Sequence, residues 1–367
     1  FSTHQATEDA KGKTFDVEAH HKLARKAAEE SVVLLKNEDN ILPLRPGTKV
    51  TVIGDFAQNP RYQGAGSSLV NPAKQPEFIL GEIGSSGLEM VAFEQGYRRN
   101  KKSDEKLLNQ AKEAAKKAEV VLIFAGLDEI SESEGLDRTH MNMPQAQNML
   151  IDEITTVNPN VIVVLSAGSA VEMPWYSYVK GIVHGYLGGQ AGASAMLNVL
   201  TGKVCPSGKL NETYPMHCED TPVQHYYPSK ERSSEYREAL YVGYRYYTTV
   251  DKKVRFPFGF GLSYTTFKYS DLKMDESGVT FQIRNTGKIK GTEIAQLYVG
   301  RKSDTVFRPV RELKGFARVT LEAGESKPYI LDLMIKPSVS MIPELIHGKS
   351  KPVIMRSWSD VTPRRCC

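Results

Sequence analysis

Four short apolar runs rich in β-branched residues constrain this chain most: Lys49 to Gly54 (KVTVIG), Val120 to Gly126 (VVLIFAG), Asn160 to Leu165 (NVIVVL) and Gly181 to Tyr186 (GIVHGY). Near-continuous apolar runs of this length are the pattern of strands buried on both faces. Between them lie helical stretches: Asp104 to Ala118, Pro144 to Val157 with Pro at the first helical position, and Gly189 to Leu200. A further amphipathic helix is expected from residue 18 to about 36, where Leu23, Ala24, Ala27, Ala28, Val32 and Leu35 recur at helical spacing. Strands alternating with helices predict an α/β fold, a mostly parallel sheet flanked by helices on both faces. Ligands bind such sheets outside the carboxyl ends of the strands, which directs attention to the loops after Gly54 and Gly126.

The texture changes after Tyr214-Pro215. Residues 216–262 are rich in Tyr, Pro and Gly without clear periodicity and predict an extended linker over a neighbouring surface. From Phe267 the spacing is that of strands: Val279 to Ile283 alternates, the turn Asn285-Thr286-Gly287 follows, then come Thr292 to Val299, Phe316 to Leu321, the turn Ala323-Gly324-Glu325, and Tyr329 to Ile335. Short strands with regular turns predict an antiparallel β-sandwich. The expected organisation is an N-terminal segment over 1–17, an α/β domain over 18–215, a linker over 216–262, a sandwich over 263–336 and an aberrant tail over 337–367.

Lys plus Arg at 47 against Asp plus Glu at 43 leave a formal charge of +4, scattered over the chain, so nucleic-acid binding gains no support. The four cysteines, Cys205, Cys218, Cys366 and Cys367, form neither a disulfide framework nor metal-ligand spacing; no metal and no cofactor are expected, and a reducing, cytoplasmic setting is. No run approaches the roughly 18 apolar residues of a membrane span, and Phe1 to Lys13 is polar, so neither a membrane nor a signal peptide is expected. The chain starts with Phe, which suggests that upstream residues, including any targeting segment, are missing.

Two loops hold candidate chemistry. After the run ending at Gly126, Asp128-Glu129-Ile130-Ser131-Glu132-Ser133-Glu134-Gly135-Leu136-Asp137-Arg138 packs five carboxylates and one Arg into eleven residues. Their mutual repulsion would raise the pKa of at least one, as a general acid requires; the same composition also suits a solvated acidic loop. After Gly54, Tyr62-Gln63-Gly64-Ala65-Gly66-Ser67-Ser68-Leu69-Val70-Asn71-Pro72 offers glycines and hydroxyls that let a polar ligand approach the backbone. It is not a dinucleotide fingerprint, because Leu69 stands where a third glycine is needed and Asn71-Pro72 discourages a helix. No G-x-S-x-G elbow occurs, which removes the usual α/β esterase reading. Tyr241, Tyr244, Tyr246 and Tyr247 could stack on sugars or cover a core, and Trp175 reads as structural.

Read together, these segments resemble glycoside hydrolase family 3 over about residues 15 to 336. The resemblance is carried by Ala27-Ala28-Glu29-Glu30-Ser31-Val32-Val33-Leu34-Leu35-Lys36-Asn37-Glu38, Ile41-Leu42-Pro43-Leu44, Val52-Ile53-Gly54, the Gly64-to-Pro72 loop, and Glu132-Ser133-Glu134-Gly135-Leu136-Asp137-Arg138. Gly188-Gly189-Gln190-Ala191-Gly192, Pro206-Ser207-Gly208-Lys209-Leu210 and Phe256-Pro257-Phe258-Gly259-Phe260-Gly261-Leu262-Ser263-Tyr264 complete it. The resemblance implies an α/β sandwich domain followed by a fibronectin type III-like domain, in retaining enzymes that remove β-linked glucose or related sugars from a non-reducing end. It assigns the acid/base role to Glu134. Glu132, Asp137 and Arg138 would position the loop, while Tyr62, Gly64, Gly66, Ser67 and Ser68 would edge the sugar site. The implied ligand is a β-glucoside or β-linked oligosaccharide.

The departure is as informative. In that family a (β/α)8 barrel precedes this domain and carries the nucleophilic Asp in an S-D-W-like motif, whereas only about twenty residues precede the first shared helix here. No nucleophile is expected in this chain; Ser359-Asp360 after Trp358 lies in an unrelated tail. The barrel would be on another chain or removed, and the alternative is a non-catalytic sugar-binding or assembly module. The resemblance stops after Ile335-Lys336. Gly348 to Asp360 can be back-translated into codons whose other frame reads WKVETGDYEIMVG, text the family places on its last strands, so a frameshifted tail and a missing closing strand are expected.

Overall fold

The computed structural model describes residues 2–12, 14–99, 103–229, 231–274, 278–300 and 307–332. The proposed frameshifted tail lies outside these residues. The elements in chain order are α1 (Ser2–Ala10), α2 (Val17–Ser31), β1 (Val33–Asn37), β2 (Lys49–Ile53), α3 (Ile79–Glu82), β3 (Glu89–Glu94), α4 (Glu105–Ala115), β4 (Val120–Gly126), α5 (Gln145–Thr155), β5 (Val161–Ser166), β6 (Gly181–His184) and α6 (Gly192–Leu200). The short strand β7 (Tyr214–Pro215), helix α7 (Tyr244–Thr249) and strand β8 (Val254–Phe256) follow, then β9 (Phe267–Met274), β10 (Gly278–Asn285), β11 (Gly291–Val299), β12 (Glu312–Leu321) and β13 (Ser326–Asp332).

The first sheet runs β1-β6-β5-β4-β2-β3. Its strands are parallel except β1, which pairs antiparallel with β6. Alternation along β4 shows why the sheet needs two covers: Val121, Ile123 and Ala125 join one core with Ala111 of α4 and Leu150 of α5, while Leu122 and Phe124 join another with Ile79 of α3 and Met196 of α6. Burying such a side chain contributes about 1.5–3 kcal/mol, and every residue of β4 is buried.

Two strands depart from the expectation. The helix predicted to about residue 36 stops at Ser31, and Val33–Asn37 is the edge strand β1. Val33 and Leu35 enter one core and Val32 and Leu34 the other, so these residues need opposite directions at a period of two, which a helix cannot supply. The stripe expected to be buried in α2 is open, with Leu23 64% exposed. Strand β3 was not expected from the sequence, because its Glu-bounded edge position leaves only a mixed, half-exposed run. Pro144 stands just outside α5, at its cap, rather than at its first turn.

The linker is tied down at several points. Strands β7 and β8 pair, Leu262 N–H donates to Leu34 O at 2.8 Å, Leu210 N–H donates to Phe260 O at 2.8 Å, and Gly259 N–H donates to Leu210 O at 2.8 Å. Tyr244 stacks on Phe258 with centroids 4.9 Å apart and Tyr247 is buried, so these two tyrosines pack rather than face solvent. Trp175 is fully buried, its Nε1 donating to Asn148 at 2.9 Å. The second domain sets β13-β10-β9 against β11-β12 around Phe281, Ile283, Leu297 and Val319, the sandwich expected. Lys209 reaches across to it, with Nζ 3.2 Å from Glu293 and 2.7 Å from Gly261 O. Among the described residues no helix is long and apolar enough to cross a membrane, and no trio of metal-ligating side chains gathers.

Strand β4 ends at Gly126, whose φ is +152°; a Cβ there would lie 1.8 Å from Ser166 O on the neighbouring strand. Gly126→Ala should therefore cost about 3 kcal/mol or more. Urea unfolding of the purified chain checks this, and a loss below about 1 kcal/mol would contradict it.

Candidate active site

Strand β2 has β3 on one side and β4 on the other. The connections leaving its carboxyl end and that of β4 therefore diverge, opening the crevice in which α/β sheets place ligands. Both candidate loops start there. The first passes through Arg61, whose guanidinium is almost fully buried. Its Nη1 donates to Leu127 O at 3.0 Å and to Glu132 Oε2 at 2.6 Å, and its Nη2 donates to Glu132 O at 2.9 Å. Glu132 also accepts from Gly168 N–H at 2.8 Å and from the Ser169 hydroxyl. One carboxylate thus joins the loops after β2, β4 and β5.

Glu134 is solvent-exposed, and its Oε2 accepts from Ser67 N–H at 2.5 Å. The approach depends on Gly66, at φ +94°, because a Cβ there would stand 2.6 Å from Glu134 Cβ. Across the same crossing Glu134 N–H faces Ala65 O at 3.5 Å. Tyr62 O accepts from Gly189 N–H at 2.8 Å, Gln63 amide donates to Tyr62 hydroxyl at 3.0 Å, and Gly64 leaves room for Ser68, whose Oγ would sit 2.6 Å from an added Cβ. Asp137 accepts from Tyr227 hydroxyl. Arg138 turns away from Glu134, its Nη1 donating to Ser169 at 2.6 Å and Ala170 O at 3.1 Å. Ser67, Gly66 and Glu134 are thus brought together, while Asp137 and Arg138 anchor the loop's far end.

The expected repulsion within the acidic loop does not occur. Each carboxylate has its own donor: Asp128 takes Ser131 N–H, Glu129 takes Arg99, Glu132 takes Arg61 and Ser169, and Asp137 takes Tyr227. Burial pushes Glu132 upward, but Ser169, Gly168 and Arg61 outweigh it and hold the carboxyl below its ordinary range. Contact with Ser67, through its hydroxyl and its amide, likewise lowers Glu134. Arg61, Ser169 and Tyr227 were not singled out from the sequence. Only Arg61 left a trace there, as the one cation between Gly54 and Lys74.

A cavity of about 60 Å³ lies beside Arg61 and Tyr62, far below the roughly 300 Å³ of a small-molecule pocket. The larger groove, about 860 Å³, runs between α2 and the outer face of β11-β12; neither Glu132 nor Glu134 lines it.

Residues 32–264 match the glycosyl hydrolase family 3 C-terminal domain, and residues 293–340 match a fibronectin type III-like domain. The chain belongs to glycoside hydrolase family 3. It is 47% identical over 324 residues to thermostable beta-glucosidase B of Acetivibrio thermocellus, covering 85% of this chain and 43% of that protein. It is 42% identical over 335 residues to exo-alpha-(1->6)-L-arabinopyranosidase of Bifidobacterium longum, covering 87% and 44%. Among solved structures it is similar to a family 3 beta-glucosidase of Bifidobacterium adolescentis, with TM-score 0.84 and 44% identity over 88% of this chain and 48% of that one. Beta-glucosidase 3B of Thermotoga neapolitana in complex with glucose gives TM-score 0.77 at 31% identity, covering 87% and 49%. This family 3 chain spans about half the length of these relatives.

Glu132 has a depressed folded-state pKa, so its stabilisation is complete above the ordinary carboxylate pKa and is lost as pH falls through the folded value. Glu132→Gln, which leaves Arg61 buried and uncompensated, should cost about 3 kcal/mol at pH 7. Urea titrations at a series of pH values should show wild type and variant converging in acid; a gap that stays constant would contradict the assignment.

Proposed function

We propose that this chain supplies the acid/base carboxyl, Glu134, to a retaining hydrolysis of β-glycosides at a non-reducing end. The observation that carries the reading is the placement of Glu134: exposed at the sheet's switch point, on a loop fixed two residues earlier by Arg61. Its two protonation forms have separate uses. Bound to Ser67 N–H, the carboxylate is stabilised in the form that accepts a proton from water in deglycosylation. To donate a proton to the leaving oxygen first, it must leave that amide and be screened from water, which raises its pKa.

The screening and the second carboxyl group are proposed to come from a nucleophile-bearing barrel, in the portion of the relatives that this chain does not cover. Retention requires the two carboxyl groups about 5 Å apart, the second attacking the anomeric carbon while Glu134 protonates the departing oxygen. Choice of sugar is proposed to lie in the same portion. The chain resembles a beta-glucosidase and an arabinopyranosidase to similar degrees, 47% and 42%. The small cavity beside Arg61 offers no enclosed place for a ring of its own.

The test mixes the purified chain with the separately produced remaining half of the Acetivibrio thermocellus relative. The chain alone should be nearly inactive and the mixture active on cellobiose. Glu134→Ala should lower kcat/KM on cellobiose by about 10²- to 10⁴-fold and spare kcat/KM on 2,4-dinitrophenyl β-glucoside, whose leaving group needs no proton, while kcat on the latter falls because deglycosylation loses its base. Robust turnover that survives Glu134→Ala would overturn the proposal. Sugar binding by calorimetry with no activity in any mixture would favour the non-catalytic module instead.

A further inference from the structure

Resting on the reading of Glu134 as acid/base, we propose that Arg61 is its positioning residue, fixing the carboxyl's place by gripping the main chain of the acidic loop as well as a side chain. An ion pair alone would need only a point charge near Glu132. The fork does more: Nη2 takes the backbone carbonyl of Glu132 at 2.9 Å, and Nη1 takes both its carboxylate at 2.6 Å and Leu127 O at 3.0 Å. The loop is thus held at its root, where it leaves β4, and again at residue 132, two residues before Glu134. Of the guanidinium nitrogens only Nε lacks a partner among the described residues. Arg61 also immediately precedes the turn whose Ala65 carbonyl and Ser67 amide face Glu134. One residue therefore clamps the two loops together on one side of the crossing, and Gly66 with Ser67 meets Glu134 on the other.

The planar fork is what distinguishes this role from charge balance. Lysine keeps the positive charge and can satisfy Glu132, but a single ammonium cannot reproduce the fork that spans the carboxylate and both carbonyls. Displacing a reacting group by about 1 Å costs on the order of 100-fold in rate. The loss should fall on the step that needs the proton, because the buried Arg61 guanidinium spends its bonds on Leu127 and Glu132 and would act only through the loop that carries Glu134.

Three variants test it: Arg61→Lys, the charge-neutral pair Arg61→Met with Glu132→Gln, and Glu134→Ala as reference. On the full chain, amide hydrogen exchange read by mass spectrometry should rise about tenfold or more in residues 65–67 and 132–136 of the first two. The core strands should stay protected. In the mixture with the relative's remaining half, kcat/KM on cellobiose should fall by about 10- to 100-fold for both, while kcat/KM on 2,4-dinitrophenyl β-glucoside, set by glycosylation without a proton donor, stays within about twofold. Equal losses on the two substrates would reduce Arg61 to a structural residue, and wild-type exchange or wild-type cellobiose turnover in either variant would overturn the proposal. Glu134→Ala separates the two readings: if it spares cellobiose, the acid/base assignment has failed, whereas exchange in the Arg61 variants still reports whether the clamp exists.

Discussion

A sheet buried on both faces can present polar chemistry only at its edges, and that constraint governs this molecule. Strand β4 has no exposed residue, so the first position where the chain can turn polar is beyond Gly126. The same holds for β2, buried from Val50 onward. Because β3 and β4 lie on opposite sides of β2, the loops leaving β2 and β4 separate and then must be brought back together by specific bonds. Arg61 and Glu132 supply those bonds from inside the fold, where water screens little and each partner left alone would be costly.

Charge is managed here by distribution rather than by repulsion. Five acids in eleven residues would be expensive if they shared one space, yet each is directed to a different donor. The consequence is that Glu132 and Glu134 are held below the ordinary carboxylate range rather than above it. On the proposed reading, the carboxyl that is to give up a proton starts as its conjugate base, and the work of raising its pKa would pass to the body that covers it.

Much of this was legible in the residues. The runs at 49, 120, 160 and 181 became β2, β4, β5 and β6, because uninterrupted β-branched stretches have few other places to go. The stretch from Val32 to Leu35 misled because four consecutive apolar residues satisfy a helical and a strand period equally; only their division between two cores settles it. Strand β3 escaped since an edge strand between two glutamates carries little apolar signal. At the site, Gly66 and Glu134 were visible as residues but not as a contact, since the loops that cross there meet through Ser67 and Glu134, 67 residues apart in the chain. The lowered carboxyl pKa values were inaccessible for the same reason: a count of acids does not reveal which amide, hydroxyl or guanidinium each will meet.

The central claim is that Glu134 serves proton transfer while another carboxyl forms the bond to sugar. External azide tests it most directly, in the assembled enzyme carrying Glu134→Ala with 2,4-dinitrophenyl β-glucoside as substrate. A small anion needs no base to attack a glycosyl intermediate, so azide should accelerate turnover of the variant, leave wild type unchanged and yield the β-glucosyl azide. No acceleration, or a product of α configuration, would contradict the account.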